Sequence, residues 1–299
     1  MPAVSVVIPA YNAEGTIAET LASLLAQTFT DFEALVIDDG SADRTAEVAG
    51  GTGDPRVRVL GIPNGGVAHA RNQAISQAHG DLIAFLDADD LWEPRKLELQ
   101  VAALERQPEA GWCVTGGVRI DESSNEIGPL PLLTSSDVCR TLLLRSMTVG
   151  HLSSGMVRKT ILDQAGGFDA RFSQCADWDL WLRLSVTAPV AVLSDRLLRY
   201  RTTAGNMSSN ISLLERDTFA VLDSFFGTAA AAPYRPARKQ VYGAHWMVCA
   251  GSYLHRGQTR EALRCVLRGV IAYPGSLARV LGIPWRRVRG AAAGPGAAA

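Results

Sequence analysis

An α/β fold built on a parallel sheet is what this sequence of 299 residues predicts, and three observations carry the prediction. Short β-branched apolar runs alternate with segments of helical period through the first 120 residues, the rhythm of strand–helix–strand crossovers. Three of the apolar runs stop abruptly in polar turns: Pro9-Ala10-Tyr11-Asn12, Asp38-Asp39-Gly40-Ser41 and Asp87-Ala88-Asp89-Asp90. With 47% hydrophobic and 20% charged residues, the chain can bury an ordinary core, which excludes wholesale disorder.

The elements follow in order. Val4–Ile8 reads as a strand buried on both faces, and Ile17, Leu21, Leu24 and Leu25 recur at helical spacing. Ala34–Ile37 is the second strand, followed by a short helix with Ser41 or Asp43 near its cap. Val57–Leu60 is the third strand, and the turn Asn64-Gly65-Gly66 leads into a helix through Ala68, Asn72 and Ile75. Leu82–Leu86 is the fourth strand, and a helix runs from about Pro94 to Arg106, with proline in its first turn. Beyond residue 120 the rhythm changes. A hairpin turn is expected at Asp121–Gly128, helices at Asp137–Arg145 and around Asp179–Leu184, and strands at Ser153–Val157 and Leu197–Arg201. From Ile211 the pattern is helical to about Arg289, with an antiparallel helix pair over 241–272 turning at Gly257, and 291–299 is a low-complexity tail expected to be disordered.

The net charge of −1 hides an uneven distribution. Residues 1–234 carry 18 Lys/Arg against 29 Asp/Glu, whereas residues 235–299 carry 11 Lys/Arg and one acid, Glu261. A basic C-terminal region points to an anionic partner, a membrane surface or an acidic chain, with nucleic acid not expected. Arg256, Arg260, Arg264 and Arg268 place a basic stripe on one helix face, which reads either as a solvated face or as a membrane-docking one, and Trp285 with Arg286, Arg287 and Arg289 adds to the second reading. Five cysteines, an odd number without a CxxC pair, exclude a disulfide framework and a zinc site. The N-terminus lacks the features of a signal peptide, and no uncharged apolar run reaches the ~18 residues of a membrane span. The expected location is cytoplasmic, with peripheral contact at the inner membrane face.

In an open parallel sheet, ligands bind beyond the carboxyl ends of the strands. Asp38, Asp39, Asp87, Asp89 and Asp90 are therefore expected to crowd one crevice, where their repulsion calls for a cation. Oxygen-only ligands favour Mg2+ or Mn2+. Taken singly, an Asp-Asp-Gly or Asn-Gly-Gly is an ordinary turn. The first turn has no GxGxxG, which excludes a dinucleotide-binding dehydrogenase, and no Gly-rich loop followed by Lys or Arg, which counts against a nucleotidyltransferase.

Four segments together, VSVVIPAYNAEGTIAETLASLLAQT, ALVIDDGSADRT, NGGVAHARNQAI and IAFLDADDLWEP, resemble the family 2 glycosyltransferases of GT-A fold, and the resemblance extends over about residues 3–205. It implies a GT-A domain over 1–210, with a nucleotide-sugar half at 1–120 and an acceptor half at 121–210, then a helical extension at 211–290. Carried over to this chain, it implies that Pro9, Ala10, Tyr11 and Glu14 line the nucleotide site. Asp39 would accept a hydrogen bond from the nucleobase, such as uracil N3–H, and Arg71 would lie near the base. Asp87-Ala88-Asp89 matches the family's DxD motif, with Asp87 on the ribose or sugar and Asp89 on the metal.

A second matching region, SSGMVRKTILDQAGGFDARF followed by ADWDLWLRL, resembles the family's acceptor side, and Asp177 falls at the position of its catalytic base. A carboxylate there would take the proton of an acceptor hydroxyl, and one base without a carboxylate nucleophile implies a single inverting displacement. Asp177 also reads as a helix N-cap, and Asp179 is a weaker candidate for the base. Trp178 and Trp181 read as core, with stacking on a sugar as the alternative. Two positions depart from the family: Ala176 where Glu is frequent, and Thr203 where His is frequent. They are the support for a competing reading, a nucleotide-sugar binding protein without catalysis, against which the retained Asp87, Asp89 and Asp177 weigh. The histidines at 69, 79, 151, 245 and 255 have no ligand spacing, and His69 alone lies beside a motif. The expected activity is transfer of a sugar, from a UDP-sugar in the first instance, to a glycan or lipid-linked acceptor in cell-surface polysaccharide or glycoconjugate synthesis.

Overall fold

The computed structural model describes residues 1–133, 136–145, 151–202 and 210–276. Contacts divide the chain into two compact units, 1–233 and 234–299.

In the first unit, β1 (Val4–Ala10), β2 (Phe32–Asp38), β3 (Val57–Gly61) and β4 (Leu82–Phe85) form a parallel sheet in the order β3-β2-β1-β4. Every residue of β1 and β2 is buried, the signature of central strands covered on both faces. The crossovers are α1 (Ile17–Leu25), α2 (Thr45–Gly50) and α3 (Val67–Ser76). Ile17, Thr20, Leu21 and Leu24 make the buried stripe of α1, and α3 lies on β1 and β2. The N-cap of α2 is Arg44; Asp43, the residue before it, accepts from the Thr45 amide at 3.0 Å, whereas Ser41 bonds to Asp38.

Past β4 the sheet turns mixed. β5 (Leu91–Trp92) precedes α4 (Lys96–Arg106), then come β6 (Trp112–Ile120), β7 (Glu126–Pro129), α5 (Val138–Arg145), β8 (Gly155–Arg158), α6 (Lys159–Ala165), α7 (Ala176–Thr187) and β9 (Val190–Arg201). The order continues β4-β8-β6-β9-β5, with β8 antiparallel to β4 and β6, and β9 parallel to β6. Strand β6 was not anticipated, and β9 begins seven residues before the expected Leu197. Gly116 and Gly117 inside β6 blur its pattern. Both are there for contact: a Cβ would stand 3.0 Å from the Asp195 carbonyl at Gly116 and 2.5 Å from the Leu198 carbonyl at Gly117.

Helix α8 (Ile211–Gly227) closes the first unit. By contacts α8 groups with the sheet, and the first compact unit runs to residue 233. The physical reason is Asp217 of α8, fully buried, which accepts from the amides of Ser173 and Gln174 at 2.9 and 3.0 Å and ties the helix to the loop before α7. The second unit is a helix pair, α9 (Arg238–His255) and α10 (Thr259–Ala272), turning at Gly257, whose φ of 72° is the left-handed conformation glycine adopts freely. A short 3-10 turn at Pro274–Ser276 follows. The rest of the helical expectation to Arg289 and the tail at 291–299 lie outside the described residues. No disulfide joins the five cysteines, all of them buried. Among the described residues, no helix is long and apolar enough to cross a membrane.

Trp178 and Trp181 belong to the core, not to a sugar platform. Both are buried. Trp178 donates Nε1–H to the Leu142 carbonyl at 3.0 Å, and Trp181 stacks on Trp112 with centroids 4.9 Å apart. A Cβ at Gly155 would stand 2.3 Å from the Trp181 ring, which Trp112 holds in place. Gly155→Ala is therefore expected to lower stability by about 1–3 kcal/mol, the cost of overpacking, read as an earlier urea midpoint with an unchanged slope.

Candidate active site

The carboxyl ends of β1, β2 and β4 each carry one part of the site. After β1 the chain turns sharply, Asn12 adopting a φ of 48°. The turn is laced to the one after β2: the Asn12 amide donates to Ser41 Oγ at 2.9 Å, the Ala42 amide to Asn12 Oδ1 at 2.9 Å, and the Ala13 amide to Thr45 Oγ1 at 2.7 Å. Glu14 accepts from the Arg44 amide at 3.1 Å. Pro9 and Ala10 are buried in β1, whereas the Tyr11 ring is 56% exposed above them.

Asp39 is buried, and its two oxygens accept from the amides of Gly65 and Gly66 at 2.8 and 2.9 Å. Each oxygen keeps a second acceptor direction. Gly40 has a φ of 73°, and a Cβ there would stand 2.9 Å from the Asn64 nitrogen, so the two turns touch only because the side chain is absent. Asp38 is spent within its own turn, accepting from the Ser41 hydroxyl and amide. The five aspartates thus fall into two groups at the carboxyl edge of the sheet rather than one cluster. Asp38 and Asp39 lie two strands from Asp87, on the order of 10 Å away at the usual strand spacing.

The second group gathers where β4 ends. Asp87 and Asp89 are partly exposed, and Asp90 is fully buried. The Asp87 amide donates to Ser153 Oγ at 3.0 Å, and Arg71 Nη2 donates to Asp87 Oδ1 at 2.7 Å. The Ala88 carbonyl accepts from the Thr20 hydroxyl at 3.0 Å. Burial and then the Asp87 charge push the Asp89 carboxyl up to about 6. Burial, aided by Asp89 and Asp87, also raises Asp90 well above the ordinary carboxylate range; its Oδ1 accepts from the Arg201 amide at 2.9 Å, and its Oδ2 has no hydrogen-bond partner among the described residues. Arg201, also buried, donates to the Asp89 carbonyl at 2.8 Å, to the Glu122 carbonyl at 3.1 Å and to Glu19 at 2.6 Å.

Asp177 lies within electrostatic reach of this group. It is the second residue of α7, not its N-cap, and its Oδ1 accepts from the Trp178 amide at 2.7 Å. Burial raises its carboxyl, and Arg71 opposes that rise while Asp87 adds to it. The approach is built by α3. Asn72 donates to the Phe168 carbonyl at 2.8 Å and accepts from the Phe168 amide at 2.9 Å, which pins the loop before α7 beside Arg71. The Phe168 ring lies 5.2 Å from the Arg71 guanidinium. Arg71 is therefore placed with Asp87 and Asp177 rather than with Asp39. Asp179 is committed to Arg183 at 2.6 Å, and Ala176 is buried at the start of α7. Thr203 lies outside the described residues.

Sequence reasoning missed His151, Ser153, Tyr200 and Arg201. The His151 and Tyr200 rings lie 4.1 Å apart. Burial lowers His151 to about 4, so it is neutral near pH 7. Burial and then the charges of Asp90, Asp87, Asp89 and Asp177 raise the Tyr200 hydroxyl, which stays protonated. The signal available was the Tyr200-Arg201 pair within the family-like segment, read only for the departure at Thr203. His69, the histidine singled out, packs instead against Gly65.

Among the described residues, no three His, Cys, Asp or Glu side chains converge as a ligand set for a metal. The half-open Asp87–Asp89 pair, with the Asp89 carboxyl raised by burial and then by the Asp87 charge, still fits a divalent cation. Mg2+-type sites draw one or two carboxylates from the protein and the remaining ligands from phosphates and water.

A parallel nucleotide-binding half joined to a mixed sheet, with the carboxylates at their junction, is the GT-A architecture of glycosyltransferases, and the comparisons with known proteins agree. The family model of Glycosyl transferase family 2 matches residues 5–164, and this chain belongs to that family. It is 30% identical over 210 residues to the Escherichia coli UDP-Glc:alpha-D-GlcNAc-diphosphoundecaprenol beta-1,3-glucosyltransferase WfgD, covering 69% of this chain and 80% of that one. Two Rickettsia relatives are longer proteins, of which this chain spans 38%. The S. aureus TarS 1–349 structure in complex with UDP-GlcNAc superposes with a TM-score of 0.61 at 18% identity, covering 88% of this chain and 90% of that one. The Pyrobaculum calidifontis mannosyltransferase PcManGT, in complex with GDP-Man and Mn2+, superposes with a TM-score of 0.62 at 18% identity, covering 96% and 83%. The chain is a glycosyltransferase.

Two outcomes test this geometry. Arg201→Met leaves the half-exposed Glu19 and the carbonyls of Asp89 and Glu122 without their donor and is expected to lower stability by about 1–3 kcal/mol, checked by chemical denaturation. Behind Ser153, the buried Lys96 donates to Gln100 Oε1 at 2.6 Å and lies 3.9 Å from the Trp92 ring, whose Nε1 donates to the Ser153 carbonyl at 2.9 Å. Burial lowers the Lys96 ammonium from 10.5 to about 7. Between those values the unfolded chain holds a proton that the folded chain has shed, so this group makes stability rise as pH increases from about 7 to 10.5 and leaves it flat below. Lys96→Met is expected to abolish that rise, read from urea midpoints across the range.

Proposed function

We propose that the chain transfers a sugar from a nucleoside-diphosphate donor, in the first instance a UDP-sugar, to an acceptor hydroxyl with inversion. The observation that carries this reading is the placement of Asp177 in the same electrostatic neighbourhood as Arg71 and Asp87, at the open end of β4.

Asp177 is the base. It takes the proton of the acceptor hydroxyl as that oxygen bonds to the anomeric carbon, while the bond from that carbon to the diphosphate oxygen breaks on the opposite face. Its raised carboxyl makes it a stronger base than an exposed aspartate, and the Arg71 charge favours the ionised form in which it can act. Arg71 also holds Asp87 by its 2.7 Å bond, leaving the other Asp87 oxygen for the ribose or sugar. Asp39, fixed by two glycine amides, offers acceptor directions to the base, with Pro9, Ala10, Tyr11 and Glu14 forming the floor of the nucleotide site. Asp89 is the residue that would hold Mn2+ or Mg2+, which when bound offsets the charge growing on the departing diphosphate. The donors and the Mn2+ named for TarS and PcManGT support this reading, and the polyprenyl-linked acceptor named for WfgD supports a glycan or lipid-linked acceptor in glycoconjugate synthesis.

The test is release of nucleoside diphosphate from a panel of nucleotide sugars, with Mn2+, Mg2+ or EDTA. Release is expected to need the cation and to fall roughly 10²–10⁴-fold in Asp177→Asn, the usual contribution of a positioned base, with nucleotide binding retained. Because the Asp177 carboxyl is raised, the wild-type rate should climb with pH along an acid limb displaced above the ordinary carboxylate range, and the limb should vanish in the variant. Full turnover by Asp177→Asn would remove this residue from the mechanism.

A further inference from the structure

Helix α10 has two apolar faces, and only one has a partner among the described residues. Ala262, Cys265 and Gly269 are buried, and they face α9. Leu263, Leu267 and Ile271, spaced by four, are 63, 62 and 72% exposed. At 100° per residue this ridge points away from the buried stripe, and it runs about 12 Å along the helix. Val266 and Val270, half-buried, border it on one side. Large aliphatic side chains in such a row are costly in water and mark a surface that something covers.

The other border is basic. Arg260, Arg264 and Arg268 follow the ridge one position at a time, with Arg256 just before the helix. Glu261 holds Arg264 at 2.6 Å, and the guanidinium groups of Arg264 and Arg268 lie 5.9 and 4.9 Å from the half-buried Trp246 ring. Glu261 is the single acid among residues 235–299, against eleven Lys/Arg. A row of Leu and Ile beside a row of Arg, with Trp beneath, matches a bilayer surface, acyl chains under the ridge and anionic headgroups against the arginines. A second copy fits less well, because two-fold pairing of this face sets the same arginines against themselves.

We propose that the outward face of α10 seats this protein on an anionic lipid surface through Leu263, Leu267 and Ile271, with the flanking arginines selecting the charge. The proposal stands apart from the assignment of donor and base and does not depend on it.

The experiment is co-sedimentation of the full chain with phosphatidylcholine vesicles with and without phosphatidylglycerol, at low and high salt. Binding to the anionic vesicles is expected, weakened by salt. Leu263→Ser with Leu267→Ser should cut it at least tenfold at either salt concentration, on the order expected for two exposed aliphatic side chains. Arg256→Gln with Arg260→Gln should cut binding to the anionic vesicles roughly fivefold for each charge and leave binding to the neutral ones unchanged. All four positions are exposed, so thermal melts by circular dichroism should match wild type. Absence of binding to anionic vesicles overturns the proposal. So does wild-type binding by the leucine variant, which would place the contact on another segment. A concentration-dependent dimer that the leucine variant abolishes, without lipid binding, would assign the ridge to a second copy and overturn it as well.

Discussion

Three carboxylates in four consecutive positions at the end of one buried strand form the constraint around which this structure is arranged. Two like charges a few ångström apart cost on the order of 4 kcal/mol in a partly screened protein environment, and Asp90 adds the cost of full burial. The fold offsets this locally, through Arg71 on Asp87, the Arg201 amide on Asp90 and the Arg201 guanidinium on the Asp89 carbonyl. It does not offset it fully. Asp89 stays raised to about 6, burial raises Asp90 as well, and one Asp90 oxygen has no hydrogen-bond partner among the described residues. An acidic cluster left short of positive charge, with two of its members open, is suited to receiving a cation and the phosphates that come with it.

Helix α3 joins the parallel part of the sheet to the part that carries Asp177. Its N-terminal turn is gripped by Asp39 through Gly65 and Gly66, its Arg71 reaches Asp87, and its next residue, Asn72, grips Phe168 by both backbone groups. Four residues within the eight positions 65–72 thus touch the turn after β2, the carboxylate cluster and the loop leading to α7. Asp217 of α8 secures the far end of that loop. Asp177, the proposed base, sits at the start of a helix whose preceding loop is held by backbone hydrogen bonds at both ends, so its placement does not rest on helix propensity.

The parallel half was legible because its signals are local. β1, β2 and β4 are short, buried and mainly apolar runs, and each stops at a turn with its own side-chain chemistry. The mixed half was less so. β6 carries two glycines whose purpose is the close approach of β9, and nothing within Trp112–Ile120 announces a partner more than seventy residues away. The tryptophans of α7 show the same limit, since a Trp at helical spacing looks alike whether it faces a sugar or, as here, another indole in the core.

By itself the sequence determined the strand–helix order of the first hundred residues and the family, and it singled out Asp39, Asp87, Asp89 and Asp177 as candidates, because motifs at strand ends are contiguous in the chain. Only the tertiary structure decided how those residues group. It separated Asp38 and Asp39 from the β4 carboxylates, moved Arg71 to Asp87, and brought His151, Tyr200 and Arg201 into the site from segments distant in sequence. The reason is physical: strand spacing and side-chain burial set which charges meet, and both are properties of the packed sheet.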